Sequence, residues 1–347
     1  MVDRTEKKHR SKKDVYILGI ETSCDDTCSS VVKNGSVILS NIVSSQDEIH
    51  KKYGGIVPEI ASRKHIEVID IVIKEALEKS GIGLDSIDAV SVTNRPGLIG
   101  SLLVGAAAAK AISYARGIPL MAANHLEAHI YSNILENHDI SGGFIALIVS
   151  GGHTSLYFVD RDWNIEEIGH TVDDAAGEAY DKIARYLGLG YPGGPVIDRL
   201  SKKGNPYYID FPKPMIDSGD FNFSFSGLKT SLIYRTKKDK KLTAEENIPS
   251  LAASFQESVV RVLTEKTIKA GRKYNVKKIL VSGGVAANSK LREEFIRKGR
   301  KNNIEIFIPP AYLCMDNAAM VACLGYYKYL EEKFDSLKVD VYSRSDI

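Results

Sequence analysis

Residues 142–160, GGFIALIVSGGHTSLYFVD, decide the fold. An unbroken apolar run from Phe144 to Val149 meets a small polar turn at Ser150-Gly151-Gly152, and the chain re-emerges in a second apolar run. Short apolar runs bounded by glycine read as buried strands, so this is a strand, a glycine turn and a paired strand. The same device stands near the start. VYILGI at 15–20 leads into the polar turn ETSCDDT at 21–27, and CSSVVKNGSVILSNIV then folds back at Asn34-Gly35. Asn-Gly predicts a tight hairpin, because both residues accept positive φ. Two distant copies of one device suggest a duplicated lobe.

Outward from these copies, residues 58–80 carry a helical period, GIG breaks it, and DAVSVTN at 88–94 reads as a buried strand. RPGLIGS and the small-residue helix LLVGAAAAKAISYARG follow. After the second device come the helix GEAYDKIARYLGL, the loop GYPGGP, and a polar stretch ending in FNFSFSGLKTS. A helix near 246–273 precedes KKILVSGGVAANSKLREEF, which reads as strand, glycine turn and helix; IEIFIPP and the helix DNAAMVACLGYYKYLEEKF close the chain. Alternating strands and helices give the α/β class. At 347 residues the chain exceeds the ~150 residues of one domain, which favours two lobes and a cleft. The expected division is a disordered basic tail at 1–14, a first lobe at 15–132 to which a C-terminal helix at 315–347 returns, and a second lobe at 133–314.

Composition excludes several classes. With 44% hydrophobic and 26% charged residues, the chain is neither disordered nor collagenous. Cys24, Cys28, Cys314 and Cys323 form no C-x-x-C pair and no disulfide framework, which fits a reducing cytoplasm. The charged N-terminus has no apolar stretch of the kind a secretory signal needs. Leu102 to Ile112, the most apolar segment, is interrupted by Lys110 and too short for a bilayer, so no membrane association is expected. The net charge of +2 conceals a local +10 over residues 261–303. That is the pattern of a solvated helix face, or of a contact with an anionic partner.

Three glycine turns, Ser150-Gly151-Gly152, Gly193-Gly194 and Ser282-Gly283-Gly284, offer backbone N–H groups to a phosphate. Tight turning alone also explains each of them. No G-x-x-x-x-G-K-[ST] and no G-x-G-x-x-G follows a strand, so P-loop and dinucleotide folds are poorly supported. In NHLEAHI, His125 and His129 lie four apart on one helix face, where both imidazoles reach the same ion. A zinc protease needs Glu directly after the first His, and Leu126 stands there. Asp316, at the start of the last helix, is the best third ligand; its alternative is a plain N-cap. Two His and a carboxylate suit iron(II) or zinc(II). Glu21, Asp25 and Asp26 cluster at a strand end, while Asp181 and Asn288 can accept hydrogen bonds from a ligand or serve the fold.

The motifs ILGIETSCDDT, GGIVPEIASRKH, NHLEAH, LIVSGGHT, DDAAGEAYDK, YPGGP, FSFSGLKT, VSGGVAANSKLR and CMDNAAM occur in the order found in the universal tRNA N6-adenosine threonylcarbamoyltransferase family. The chain resembles that family, once described as a glycoprotease, over roughly residues 15–330, and resembles its bacterial branch most. Ile148 stands where the archaeal and eukaryotic branch carries a tyrosine metal ligand. The resemblance implies a two-lobed actin-like, sugar-kinase-like and Hsp70-like fold with a central cleft. It implies transfer of L-threonylcarbamoyl from threonylcarbamoyl-AMP to N6 of the adenosine 3′ of the anticodon, in tRNAs reading codons that begin with A. It implies His125, His129 and Asp316 as ligands of one divalent ion per subunit, iron(II) first and zinc(II) as the alternative. Substrate-binding positions fall on Ile148, Val149, Ser150, Gly151, Gly152, Asp181, Gly194 and Asn288, with Asp198 from the same loop, and Glu21 is the catalytic carboxylate. An inactive paralogue subunit and a small ATPase are the implied partners, in the cytoplasm. Set against this stand a metalloprotease acting on glycoproteins and a non-catalytic nucleotide-binding scaffold.

Overall fold

The Asn34-Gly35 hairpin forms as the sequence predicts, with φ of 53° and 68°, and joins two antiparallel strands. The computed structural model describes residues 14–344. The tail expected at 1–14 lies outside them except for Asp14, which pairs with Lys33 at 2.7 Å and accepts from Asn34 Nδ2.

In the first half, β1 (Tyr16–Glu21), β2 (Thr27–Lys33) and β3 (Val37–Ser44) are followed by α1 (Asp47–His50), α2 (Pro58–Ser80), β4 (Ala89–Arg95), α3 (Ile99–Arg116), β5 (Leu120–Asn124) and α4 (His125–Glu136). The second half repeats the scheme with β6 (Phe144–Val149), β7 (Thr154–Val159) and β8 (Ile165–His170). Then come α5 (Ala176–Tyr186), α6 (Gly193–Ser201), α7 (Ser226–Lys238), α8 (Ile248–Lys273), β9 (Lys278–Ser282), α9 (Ser289–Asn302), β10 (Glu305–Phe307), α10 (Ala311–Cys314) and α11 (Ala318–Leu330). The sheets run β3-β2-β1-β4-β5 and β8-β7-β6-β9-β10, each an antiparallel meander continued by two parallel strands. The orders are identical position for position, which establishes the duplication and the two-lobed α/β architecture.

Local chemistry sets the element ends. Pro58 opens α2, where its missing N–H costs nothing, and Gly81 closes it with φ of 68°. Asn side chains cap three of the helices that start at the cleft: Asn124 accepts from the amides of Leu126 and Glu127, Asn288 from Leu291, and Asn317 from Met320.

One exchange binds the halves together. The helix α4 follows the first sheet but packs on β6 and β9 of the second, whereas α11 follows the second sheet and packs on β1, β2 and β4 of the first. Their apolar faces meet in a core shared by Leu126, Ile130, Ile134, Met320 and Leu324. Gly19 permits this close approach, since a Cβ there would stand 2.9 Å from that of Ala322. Helix α11 ends at Leu330, short of the expected helix through 347, and the chain then runs irregularly along the first lobe, where Asp335 accepts from the Ala122 amide. Strands β5 and β8, both at sheet edges, are elements that the sequence reading did not identify.

Candidate functional site

The exchange places the N-termini of α4 and α11 at one point between the lobes. The Asn124 cap makes His125 the first residue of α4, with His129 one turn on. Asn317 is the true cap of α11, which leaves the Asp316 carboxylate free to face α4. Asp316 Oδ1 lies 3.5 Å from His125 Nε2 and 3.2 Å from His129 Nε2, and the three ligand atoms all fall within 4.8 Å of one another. An ion with bonds of about 2.1 Å holds its donors about 3–3.4 Å apart, and the two His–Asp separations are close to that spacing. The His129 ring is 0% exposed, and among the described residues neither of its nitrogens has an aligned hydrogen-bond partner. A buried imidazole in that condition fits a ligand role. Burial opposes ionisation of Asp316, but the neighbouring imidazoles outweigh it and hold the carboxyl well below its usual range. Burial likewise disfavours the His125 cation, yet Asp316 and Glu21 raise it to about 9.

Glu21, the last residue of β1, adjoins this group but faces into the fold. Its Oε1 accepts from the Ser23 amide at 2.5 Å; its Oε2 accepts from Thr93 Oγ1 at 2.5 Å and stands 3.0 Å from His125 Nδ1. His153, which follows the Gly151-Gly152 turn, was not singled out from the sequence although its motif was. Burial, then the charges of His125 and His129, push it down to about 4, so it is neutral near pH 7. In the ETSCDDT turn, burial and then Asp316 raise Asp25 to about 6 and Asp26 to about 8.

The second lobe supplies the glycine turns. Because β6 and β9 pair in parallel with Ile148 opposite Ser282, the turns after them are neighbours. Ile148 and Val149 are wholly buried in the sheet, so whatever faces the cleft begins at Ser150. The amides of Gly151 and Gly152 donate to no group among the described residues. The glycines here divide sharply. Gly283 has φ of 91° and a Cβ there would meet the Val149 backbone; Gly177 packs α5 against Gly151 in the same way. Gly151, Gly152, Gly194 and Gly284 have no positive φ in that range and nothing within 4 Å of a Cβ. The fold does not need those four to be glycine, but a ligand lying against the backbone does.

Asp181 Oδ1 accepts from the Gly193 amide at 2.7 Å and so fixes the YPGGP loop; burial raises its pKa despite that bond. Asp198 accepts from Ser289 Oγ at 2.9 Å, joining α6 to α9. Asn288 uses its oxygen as the α9 cap and gives its amide to Gln256 at 2.7 Å. Burial, then the charges of Asp25, Asp181 and Asp47, raise the Tyr191 phenol. Ser289, Gln256 and Thr93 carried no distinguishing signal in the sequence.

Of the basic stretch at 261–303, Lys290 and Arg292 stand beside the glycine turn at the start of α9, where Arg292 Nε donates to Ala286 O, while much of the rest is paired or lies elsewhere. Lys266 is buried and donates to Met215 O and Ser218 Oγ; Arg297 pairs with Glu294, and Lys298 with Glu294 and Glu265. The exposed remainder, including Lys273, Lys277, Arg300 and Lys301, lies where α8 and α9 end and β9 and β10 begin. A five-residue strand, about 16 Å, separates that edge from the turn. No helix among the described residues is long and apolar enough to cross a membrane.

A family model described as tRNA N6-adenosine threonylcarbamoyltransferase matches residues 37–323. A protein of that name from Clostridioides difficile is 49% identical over 94% of this chain and 97% of its own length. Another from Thermosipho africanus is 51% identical over 91% and 94%. Among solved structures, HypF of T. kodakarensis superimposes with a TM-score of 0.60 at 15% identity, over 92% of this chain and 48% of its own. Component A of the Acidaminococcus fermentans (R)-2-hydroxyglutaryl-CoA dehydratase gives 0.55 at 17%, over 90% and 98%. Those two likenesses concern the fold alone.

Proposed function

The chain belongs to the tRNA N6-adenosine threonylcarbamoyltransferase family, a transferase family of tRNA modification, and on that footing we propose how its cleft carries out the transfer. The donor is threonylcarbamoyl-AMP, seated on the second lobe with its phosphate against the Gly151 and Gly152 amides. Gly194 and Gly284 leave room for the nucleotide, and Asp181, Asp198 and Asn288 shape the walls around it. The acceptor is N6 of the adenosine 3′ of the anticodon, in tRNAs reading codons that begin with A. The observation that carries this reading is the set of four glycines that the fold itself does not require.

The chemistry asks for little beyond placement. The adenosine amine attacks the carbamoyl carbon of a mixed anhydride, the bond from that carbon to the phosphate oxygen breaks, the amine gives up one proton to an oxygen of the departing phosphate, and AMP leaves. Holding both reactants in line removes most of the entropic barrier, and preorganised amides stabilise the departing phosphate. The N-termini of α4 and α11 add positive dipole ends beside an anionic ligand. His125, His129 and Asp316 would hold one divalent ion, iron(II) first and zinc(II) as the alternative, which would supply Lewis-acid polarisation of a substrate oxygen. Leu126, where a zinc protease of the H-E-x-x-H type carries its general base, is buried in the core, so the proteolytic reading lacks that base.

The remaining partners are an inactive paralogue subunit and a small ATPase, in the cytoplasm. Exposed Ile66, Ile71 and Leu103 on α2 and α3 suit docking of the paralogue. The proposal is tested by incubating the protein and those partners with threonylcarbamoyl-AMP and unmodified tRNAs, then digesting to nucleosides for mass spectrometry. Threonylcarbamoyladenosine is expected only from tRNAs reading A-initial codons. Its absence where the Clostridioides relative forms it would defeat the proposal.

A further inference from the structure

Glu21 stands at the end of β1, beside Thr93 of the parallel neighbour β4, where the register of Ile20 with Val92 puts the two side chains next to each other. The carboxylate is 0% exposed, and every close neighbour is a donor: the Ser23 amide and Thr93 hydroxyl, each at 2.5 Å, and the His125 ring at 3.0 Å through Nδ1. The imidazole stands between two carboxylates. Glu21 meets its Nδ1, and Asp316 lies on the Nε2 side at 3.5 Å. A general base must reach the proton it removes from a substrate. Glu21 is walled off from any such proton by the very ring it touches.

We propose that Glu21 is a positioning residue, which keeps a proton on His125 Nδ1, so that when a binding metal displaces the Nε2 proton of the cation the freed lone pair points into the space shared with His129 and Asp316. A carboxylate can only accept from Nδ1, so the proton is fixed on that nitrogen and the other is left to ligate. Thr93 and Ser23 orient the carboxylate in turn. His129 has no such partner among the described residues, so the order of the triad depends on the Glu21–His125 pair. This role replaces the catalytic one that the sequence resemblance implies for Glu21. It rests on the metal reading of the triad and is independent of the tRNA chemistry.

The test is a metal titration of the full chain. Metal-stripped wild type, Glu21→Gln, Glu21→Ala and Thr93→Val are titrated with cobalt(II) against a competing chelator, and the visible d–d spectrum reports the ligand field. Far-UV circular dichroism monitors the fold. Glu21→Gln and Glu21→Ala are expected to lose about 10–100-fold in cobalt affinity with altered d–d bands and wild-type circular dichroism. Thr93→Val keeps the carboxylate and loosens it, so a smaller loss is expected; it also serves if neither Glu21 variant folds. Wild-type affinity and spectrum in the folded variants would overturn the inference, and a loss of transfer with metal binding intact would return Glu21 to a catalytic role. Failure of the transferase proposal leaves this titration unaffected, because no tRNA or donor is present.

Discussion

Two adjacent glycines should respond in opposite ways to the same substitution. At Gly283, φ is 91° and ψ is 157°, a region closed to residues with a Cβ. A methyl there would stand 2.7 Å from the carbonyl carbon of Val149 and 2.9 Å from its nitrogen, inside a strand that cannot rotate away. The backbone strain costs about 1–3 kcal/mol, and the overpacking about 1–3 kcal/mol more. Gly283→Ala is therefore expected to lose about 2–6 kcal/mol of stability. At Gly284 a methyl meets nothing within 4 Å. Gly284→Ala should keep its stability to within about 0.5 kcal/mol or gain slightly, since alanine restricts the unfolded chain. If the nucleotide lies against this backbone, however, the methyl occupies its place, and AMP affinity should fall at least tenfold, about 1.4 kcal/mol. Urea unfolding followed by circular dichroism measures the first effect, and isothermal titration with AMP the second. Unchanged AMP affinity in Gly284→Ala, or a Gly283→Ala protein as stable as wild type, would refute the reasoning.

The other expectations concern the metal, a helix cap and the basic stretch. A saturating divalent ion should stabilise the wild type by about 2.7 kcal/mol at a hundredfold excess over Kd, a rise in thermal midpoint that Asp316→Asn abolishes. A midpoint in Asp316→Asn that still rises fully with metal would exclude the triad. Asp173 caps α7, accepting from Ser224 Oγ and the Phe225 and Ser226 amides, so Asp173→Ala should lose about 1–2 kcal/mol in urea unfolding. Burial pushes the Asp173 carboxyl up, but those bonds leave it below its usual range. Its contribution is thus full above the unfolded value near 4 and fades as pH falls through the lowered folded value, so the cost of Asp173→Ala should shrink between pH 6 and pH 3. The double variant Arg300→Glu, Lys301→Glu should leave tRNA affinity and its salt dependence as in the wild type. A salt slope lower by about two would mean that this edge contacts phosphates.

The duplication was legible because each copy is a local pattern, an apolar strand running into a polar turn within twenty residues. The metal ligands were legible for a similar reason: His125 and His129 are one helical turn apart, and Asp316 follows a Pro-Pro break. The strands β5 and β8 escaped notice because their signals are weak. LMAAN is short, while IEEIGH exposes three of its six residues at a sheet edge. The exchange of α4 and α11 between sheets is not written in either helix, whose apolar faces say only that they are buried. Thr93 could not be joined to Glu21 either, since 72 residues separate them and only the parallel register brings them together. The place of the basic stretch was hidden for a related reason: nearness in sequence to Ser282 says nothing about which end of β9 a side chain occupies.

The central claim is that the nucleotide on the second lobe's glycine turns and the triad at the ends of α4 and α11 share one site. Phosphorus NMR of AMP bound to the manganese(II)-loaded protein tests it most directly, because a paramagnetic ion broadens a phosphorus resonance only at close range. The AMP signal should broaden strongly in the wild type and stay sharp in His129→Ala. A sharp signal from AMP bound to the manganese-loaded wild type would place the nucleotide and the triad apart, and contradict the claim.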